Sequence, residues 1–441
     1  MKSVKLNHLI AISVFFLSFS LFFTSPVITS FDSRWTIYTA MSIIKEWNTD
    51  LDEYHTVLAN QDFYAIEVIN GHEYSIFPIG TALVAVPFVW ALDQIFIPVL
   101  IKFPRVKTYI QQRAAYYNET KLSYDLLSLH QGVELLIASF LCALTVSLLY
   151  LLMRQWLNWQ YALLIALIFA FSTSVWSTAS RALWQHGPSM LMLTGSLYWV
   201  VLAEKSPKMI AYAGLPLAFA FVIRPTNSIP IVCLSIYIWL NYPAYFLRFI
   251  LWATPIAFGL AIYNFSVYNA LISPYSSPSR ILANSAFTEA LLGQLISPAR
   301  GLFIYSPVLL FAVYAGLTQA IFRPRHLSFY ALLSIILHWL VIAHFPHWWG
   351  GHSFGPRLFT DTLPLWMLLL AQFVQLFRHY SRLTQWCVGS LLALTIFWSS
   401  WVHYQGAQVW ATYAWNSIPN NIDTHSTRLW DWQDLPFLRA K

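Results

Sequence analysis

The sequence predicts an all-α polytopic membrane protein: a bundle of about eleven transmembrane helices, with an interfacial helix in the first outer loop. Three observations carry this. The 441-residue chain is 58% hydrophobic and only 10% charged, its mean hydropathy is +0.56, and its apolar residues gather into runs long enough to cross a bilayer. A soluble chain of this length would form about three domains. At roughly 20 apolar residues per span the length holds about ten to twelve helices and no aqueous domain. Secreted, cytosolic and nucleic-acid-binding classes are thereby excluded. Cys142, Cys233 and Cys387 all fall inside apolar runs, so neither a disulfide framework nor a CxxC metal or redox pair is present.

The first element, within Met1–Ser30, places Lys2 and Lys5 ahead of an apolar run. It reads as a cleaved signal or a retained first helix, and the later spans favour retention. Further spans are predicted at 131–153, 161–180, 188–203, 209–224, 226–241, 246–268, 302–321, 327–344, 363–377 and 384–403. Segment 77–101 is also long enough to cross, with Asp93 as its one charge. If it does not cross, the loops holding Arg154, Lys205, Lys208, Arg248, Arg323, Arg325, Arg378 and Arg382 share a side with Lys2 and Lys5. That arrangement obeys the positive-inside rule, with a cytoplasmic N-terminus. Segment 77–101 is therefore predicted to lie in, or dip into, the outer interface, interrupted by Pro78, Pro87 and Pro98. On this topology every acidic residue except Glu204 falls on the outer side or at an outer helix end. The chain reads as one transmembrane domain, 1–441, with outer loops 31–130, 269–301 and 345–362 and an outer tail 404–441.

Chemistry is therefore sought on the outer side. Phe31-Asp32-Ser33-Arg34-Trp35 follows the first helix directly. Asp32 reads either as a cap for the next helix, with Arg34 as its exposed partner, or as a carboxylate placed to take a proton from a hydroxyl. Asp50, Asp52 and Glu53 form a solvated acidic turn or a weak divalent-cation site of hard oxygens. His72 lies in Asn70-Gly71-His72-Glu73-Tyr74-Ser75; Arg181 and His186 lie between two spans, where such residues snorkel to headgroups or finish caps. Arg224 stands at an outer helix end, where the orientation rule disfavours positive charge. The loops around Arg300 and around His347-Trp348-Trp349-Gly350-Gly351-His352 to Arg357 combine glycines, an arginine fork and aromatic faces. Together these suit a lipid phosphate and a sugar ring; separately they read as tight turns and an aromatic belt. His347 and His352 give a weak metal signal. Asn118-Glu119-Thr120 fits a glycosylation sequon.

The arrangement resembles the GT-C superfamily of membrane glycosyltransferases, nearest to the protein O-mannosyltransferases and the lipid A aminoarabinose transferases, mainly over residues 1–225. Asp32, Arg34 and Trp35 match in part the family's acidic motif followed by arginine and an aromatic. Phe77-Pro78-Ile79-Gly80 looks like its juxtamembrane proline segment, and the Arg300 and Arg357 loops look like those of prokaryotic members. Gln185-His186 departs from an aspartate found in several relatives, and Phe77 from a nearby lysine. The resemblance implies transfer of a sugar from a polyprenyl-phosphate donor to a glycan, lipid or protein acceptor, with inversion, on the periplasmic or exterior face of a bacterial inner membrane. It implies Asp32 as general base, Arg300, Arg357, Arg181 and Arg224 at the donor phosphate, and Arg34, Asp52, His72, His186, Trp349 and His352 at the substrate. It requires no nucleotide and admits a divalent metal. The other classes the sequence allows are a lipid or glycan transporter or flippase, and a non-catalytic membrane subunit of envelope glycan assembly.

Overall fold

The computed structural model describes residues 2–55, 65–116, 126–277, 284–323 and 325–439. Each of the eleven apolar runs is helical. The first helix, α1, spans Lys2–Thr24, and α2, Arg34–Lys45, follows it after a short extended segment. A hairpin pairs β1, Ile66–Ile69, with β2, His72–Ser75, in antiparallel register Ile69↔His72. Its two-residue turn is Asn70-Gly71, both at positive φ (54° and 89°), the geometry that matches strand twist in tight hairpins. Then come α3, Gly80–Leu100; α4, Pro104–Tyr116; α5, His130–Met153; α6, Trp159–Phe171; α7, His186–Leu202; α8, Gly214–Ile223; and α9, Ser228–Asn241. The chain continues through α10, Pro243–Tyr268; α11, Phe287–Ile296; α12, Leu310–Phe322; α13, Leu327–Ala343; α14, Leu363–Phe377; and α15, Arg382–Gln408.

Six described helices are long and apolar enough to cross a membrane: Lys5–Thr24, Gly80–Leu100, His130–Met153, Pro243–Tyr268, Arg357–Phe377 and Arg382–Gln408. The others are shorter for local reasons. The run expected at 161–180 stops at Phe171, where Ser172, Thr173 and Ser174 intervene and Thr173 Oγ1 donates to Phe169 O at 2.6 Å. Such back-bonding competes with the helix, and the chain resumes as a π turn over Val175–Ala179.

Contacts between helix ends sort the loops onto two ends of the bundle. At the end where α1 begins, Arg154 Nε donates to Asn7 Oδ1 at 2.9 Å, Trp156 Nε1 to Glu204 Oε2 at 2.8 Å, and Lys205 Nζ to Gln155 Oε1 at 3.0 Å. At the end where α1 finishes, Val27 N donates to Ala407 O at 3.3 Å and Gln408 Nε2 to Ser25 Oγ at 3.0 Å. Helix α1 packs along α5.

Helix α3 qualifies as a span by length and composition, and residues from both its flanks join one apolar cluster with it. Trp35 and Tyr38 ahead of it and Leu126 and Leu127 beyond it share one buried cluster with Val89, Ile97 and Ile110. Phe88 meets Phe140 at 5.3 Å, and Phe140 meets Phe15 at 5.3 Å, so α3 reaches into the apolar bundle. The interruption expected at the prolines is absent. Pro87 sits inside the helix, and a π turn over Leu92–Phe96 shifts the hydrogen-bond register just ahead of Pro98. At its start, a Cβ on Gly80 would lie 2.5 Å from Ile223 N, so the absence of a side chain is what lets α3 touch the end of α8.

Candidate functional site

A largely buried polar cluster joins three helix ends. His186 opens α7, Arg224 follows α8, and Arg357 and Asp361 lie on the 3₁₀ turn Arg357–Thr362 that leads into α14. Asp361 is 1% exposed. Its Oδ1 is 3.0 Å from His186 Nδ1 and its Oδ2 is 2.6 Å from Arg224 Nε. On the other edge of the ring, Arg357 Nε donates to His186 Nε2 at 3.2 Å. Since a guanidinium only donates, Nε2 is the acceptor and Nδ1 carries the proton toward Asp361. His186 is therefore neutral, and two guanidinium groups face one carboxylate. The net positive charge this leaves suits an anion.

Arg357 is held flat. Its Nη1 donates to Gly350 O at 3.2 Å, and its Cζ stands 4.0 Å over the Trp184 ring. Gly350, Gly351 and Gly355 all have positive φ. A Cβ on Gly355 would come 2.6 Å from the Tyr305 ring. The Gly-rich loop is thus shaped for close packing around this arginine. A cleft of about 200 Å³ lies beside it, lined by Thr29, Trp184, His352, Phe354 and Arg357 among others. Asp32 is three residues beyond Thr29. The Tyr413 hydroxyl, pushed up by burial, is lowered by Arg357 and raised by Asp32, which puts both charges within electrostatic reach of one phenol.

A second, larger groove of about 440 Å³ opens beside Arg224. Pro78 and Ile79 at the start of α3, Val222 and Pro225 around the end of α8, and Tyr263 and Tyr268 of α10 line it.

Not every expected site residue faces these cavities. Arg181 is fully buried. Its Nη1 donates to Ser25 O (2.9 Å) and Val27 O (3.5 Å), its Nη2 to Phe22 O and Ser180 Oγ, and its Nε to Ser180 Oγ. Three of these bonds serve the end of α1 and its exit segment and two serve the adjacent Ser180, so the donors are spent on the frame instead of a phosphate. Arg300, 2% exposed, likewise bonds Trp349 O, Ala299 O, Gly351 O and Asn416 Oδ1. It ties the Gly-rich loop to the carboxyl-terminal tail, one step behind Arg357. Trp349 Nε1 donates to Asp423 Oδ1 at 2.8 Å, and His352 Nε2 lies 3.0 Å from Asn421 Oδ1. Of this pair only His352 lines the cleft. His347 meets the Trp349 ring edge-to-face, with centroids 5.0 Å apart. Arg34 lies over Trp35 at 4.8 Å. Asp52 and His72 pair at 2.6 Å beyond the far end of α2 from Asp32. The Asn118-Glu119-Thr120 sequon falls outside the described residues.

Two residues emerge that sequence reasoning did not single out. Asp361 is the hub of the charge network. Glu134, fully buried on α5, accepts from Ser30 Oγ at 2.5 Å and from Leu183 N at 3.3 Å, joining the segment before Asp32 to the one before His186. An ionisable residue inside an apolar run was the available signal. Neither a protein-family model nor a curated protein matches the chain.

Proposed function

We propose that this protein is a GT-C-type glycosyltransferase of about eleven spans, moving a sugar from a polyprenyl-phosphate donor to an acceptor on the outer side of the membrane. The observation that supports the reading most is the cleft that Arg357 lines together with Thr29, three residues before Asp32, backed by the Asp361–His186–Arg224 network. In this mechanism Asp32 takes a proton from the acceptor hydroxyl or amine as it attacks the anomeric carbon, with inversion. The leaving group is a lipid phosphate monoester, whose developing charge needs stabilisation more than it needs an acid. Arg357, held flat on Trp184 and backed by the network's net positive charge, provides it. Arg224 belongs to the same network through Asp361, whereas Arg181 and Arg300 build the frame. The groove beside Arg224 takes the prenyl chain, with His352 at the sugar.

The test is sugar transfer by full-length protein in proteoliposomes, with donor and acceptor identified by mass spectrometry of glycolipids and glycoproteins from a deletion strain. Asp32→Asn is expected to abolish turnover while the protein stays folded and inserted. Arg357→Ala is expected to raise the donor requirement far more than Arg105→Ala, an exposed arginine distant in sequence from the network. Normal turnover in Asp32→Asn removes the base assignment, and equal effects of the two arginines remove the phosphate site.

A further inference from the structure

Away from the charge network, the first outer loop folds a second polar cluster against the hairpin. Asp50, Asp52 and His72 each offer one ligand atom, and these atoms all lie within 4.8 Å of one another; among the described residues they are the group of three or more such side chains that comes together in this way. The scaffold is fixed on both sides. Leu51, fully buried between the two aspartates, donates its amide to Glu73 O at 2.7 Å, and Glu73 N donates to Asp52 Oδ1 at 2.8 Å. His72 begins β2 directly after the Asn70-Gly71 turn, and its Nδ1 reaches Asp52 Oδ2 at 2.6 Å.

Asp50 is the independent observation. It is only 8% exposed, and neither a hydrogen bond nor an ion pair to its carboxylate is found among the described residues, while its oxygen points into the group formed with Asp52 and His72. Two carboxylates converging on one imidazole leave the group with uncompensated negative charge, and the basic side chain in it, His72, is already turned to Asp52. The site is separate from Asp32: helix α2, of twelve residues, stands between them, about 18 Å long at 1.5 Å per residue.

We propose that Asp50, Asp52 and His72 form a divalent-metal site, of zinc-type preference, that pins the 50–52 loop to the hairpin. Two carboxylate oxygens and one imidazole nitrogen are a borderline donor set, which suits zinc better than magnesium or calcium. His72 and Asp52 remain accessible, with side chains 55% and 43% exposed, so water completes the shell. The ion's role is structural, and its binding is independent of whether the protein transfers sugars.

The experiment uses tag-free full-length protein in nanodiscs, loaded with zinc, desalted and assayed for zinc per chain and for thermal unfolding with and without chelator. Wild type is expected to keep about one zinc and to lose melting temperature on chelation. Asp50→Asn and His72→Ala are expected to bind more weakly than the roughly 10–100-fold seen for loss of a supporting residue, and to melt independently of chelator. Asp93→Asn, at a half-buried carboxylate that accepts from Gln94, is expected to behave as wild type. Failure of wild type to retain zinc, or equal retention by Asp50→Asn and His72→Ala, overturns the proposal. Because His72 is exposed, that variant remains informative even where Asp50→Asn does not fold.

Discussion

His186 Nδ1 lies 3.0 Å from Asp361 Oδ1, a contact across 175 residues of sequence between two fully buried side chains. It fixes the ring so that Nε2 accepts from Arg357. One carboxylate therefore orients Arg224 directly and Arg357 through an imidazole.

Removing that carboxylate strands the largely buried Arg224 guanidinium and frees the His186 ring that orients Arg357. Asp361→Asn is expected to destabilise the protein by about 3–5 kcal/mol, the range for breaking one partner of a buried pair. The measurement is thermal or denaturant unfolding in detergent. A change within experimental error would mean that the network carries no net interaction.

Arg181 makes five bonds to the end of α1 and to Ser180. Bonds to charged donors contribute more than neutral ones, and orphaned buried carbonyls are costly, so Arg181→Ala is expected to cost on the order of 3 kcal/mol or more. Arg181→Lys recovers little, because a point ammonium does not span carbonyls from Phe22 to Val27. Protease resistance of the 22–30 segment reports the loss. Unchanged resistance in Arg181→Ala would contradict the assignment.

The side on which α3 ends is open to labelling. With the exposed Cys387 replaced, and Cys142 and Cys233 buried, single cysteines at positions 47 and 107 are expected to react with an impermeant reagent from one side, and one at 154 from the other. Opposite reactivity of 47 and 107 would make α3 a true crossing and would invert every later loop.

The tail is expected to be pH-sensitive. Burial raises the Asp434 carboxyl, but hydrogen bonds from Arg439 and Arg428 outweigh it and hold the group below the usual carboxylate range. A carboxyl depressed on folding stabilises above its unfolded pKa, and that contribution disappears as pH falls through the folded value. Protection factors over 415–439, which correct for the intrinsic slowing of exchange in acid, are therefore expected to be high at neutral pH and to fall on acidification through the range of ordinary carboxylates, about pH 4, and below. In Asp434→Asn they are expected to be low throughout. Identical profiles for the two proteins would exclude the clamp.

How far the sequence reaches is clear from particular residues. The eleven apolar runs became helices because apolar length and turn-breaking residues are local properties. The separation of basic loops from the Asp32 and Arg357 end followed from charge bookkeeping along the chain. Partner choice was hidden. Arg181, Arg224, Arg300 and Arg357 look alike as arginines at helix ends, yet two bond mainly carbonyls, while Arg224 reaches Asp361 directly and Arg357 through His186. Contacts between segments far apart in sequence distinguish them. Glu134 passed as a helix-end acid for the same reason, and α3 kept its helix through Pro87 because packing outweighed a local penalty.

Arg300 holds the Gly-rich loop to Asn416, Ser297 Oγ donates to Leu429 O at 2.6 Å, and Trp415 Nε1 reaches Asp434 O at 3.0 Å. The tail residues that fasten this face therefore leave the ribosome after the helices α1 to α15. Nascent chains carrying those helices still lack the strap, and termination near position 410 yields an inserted bundle with an unfastened mouth.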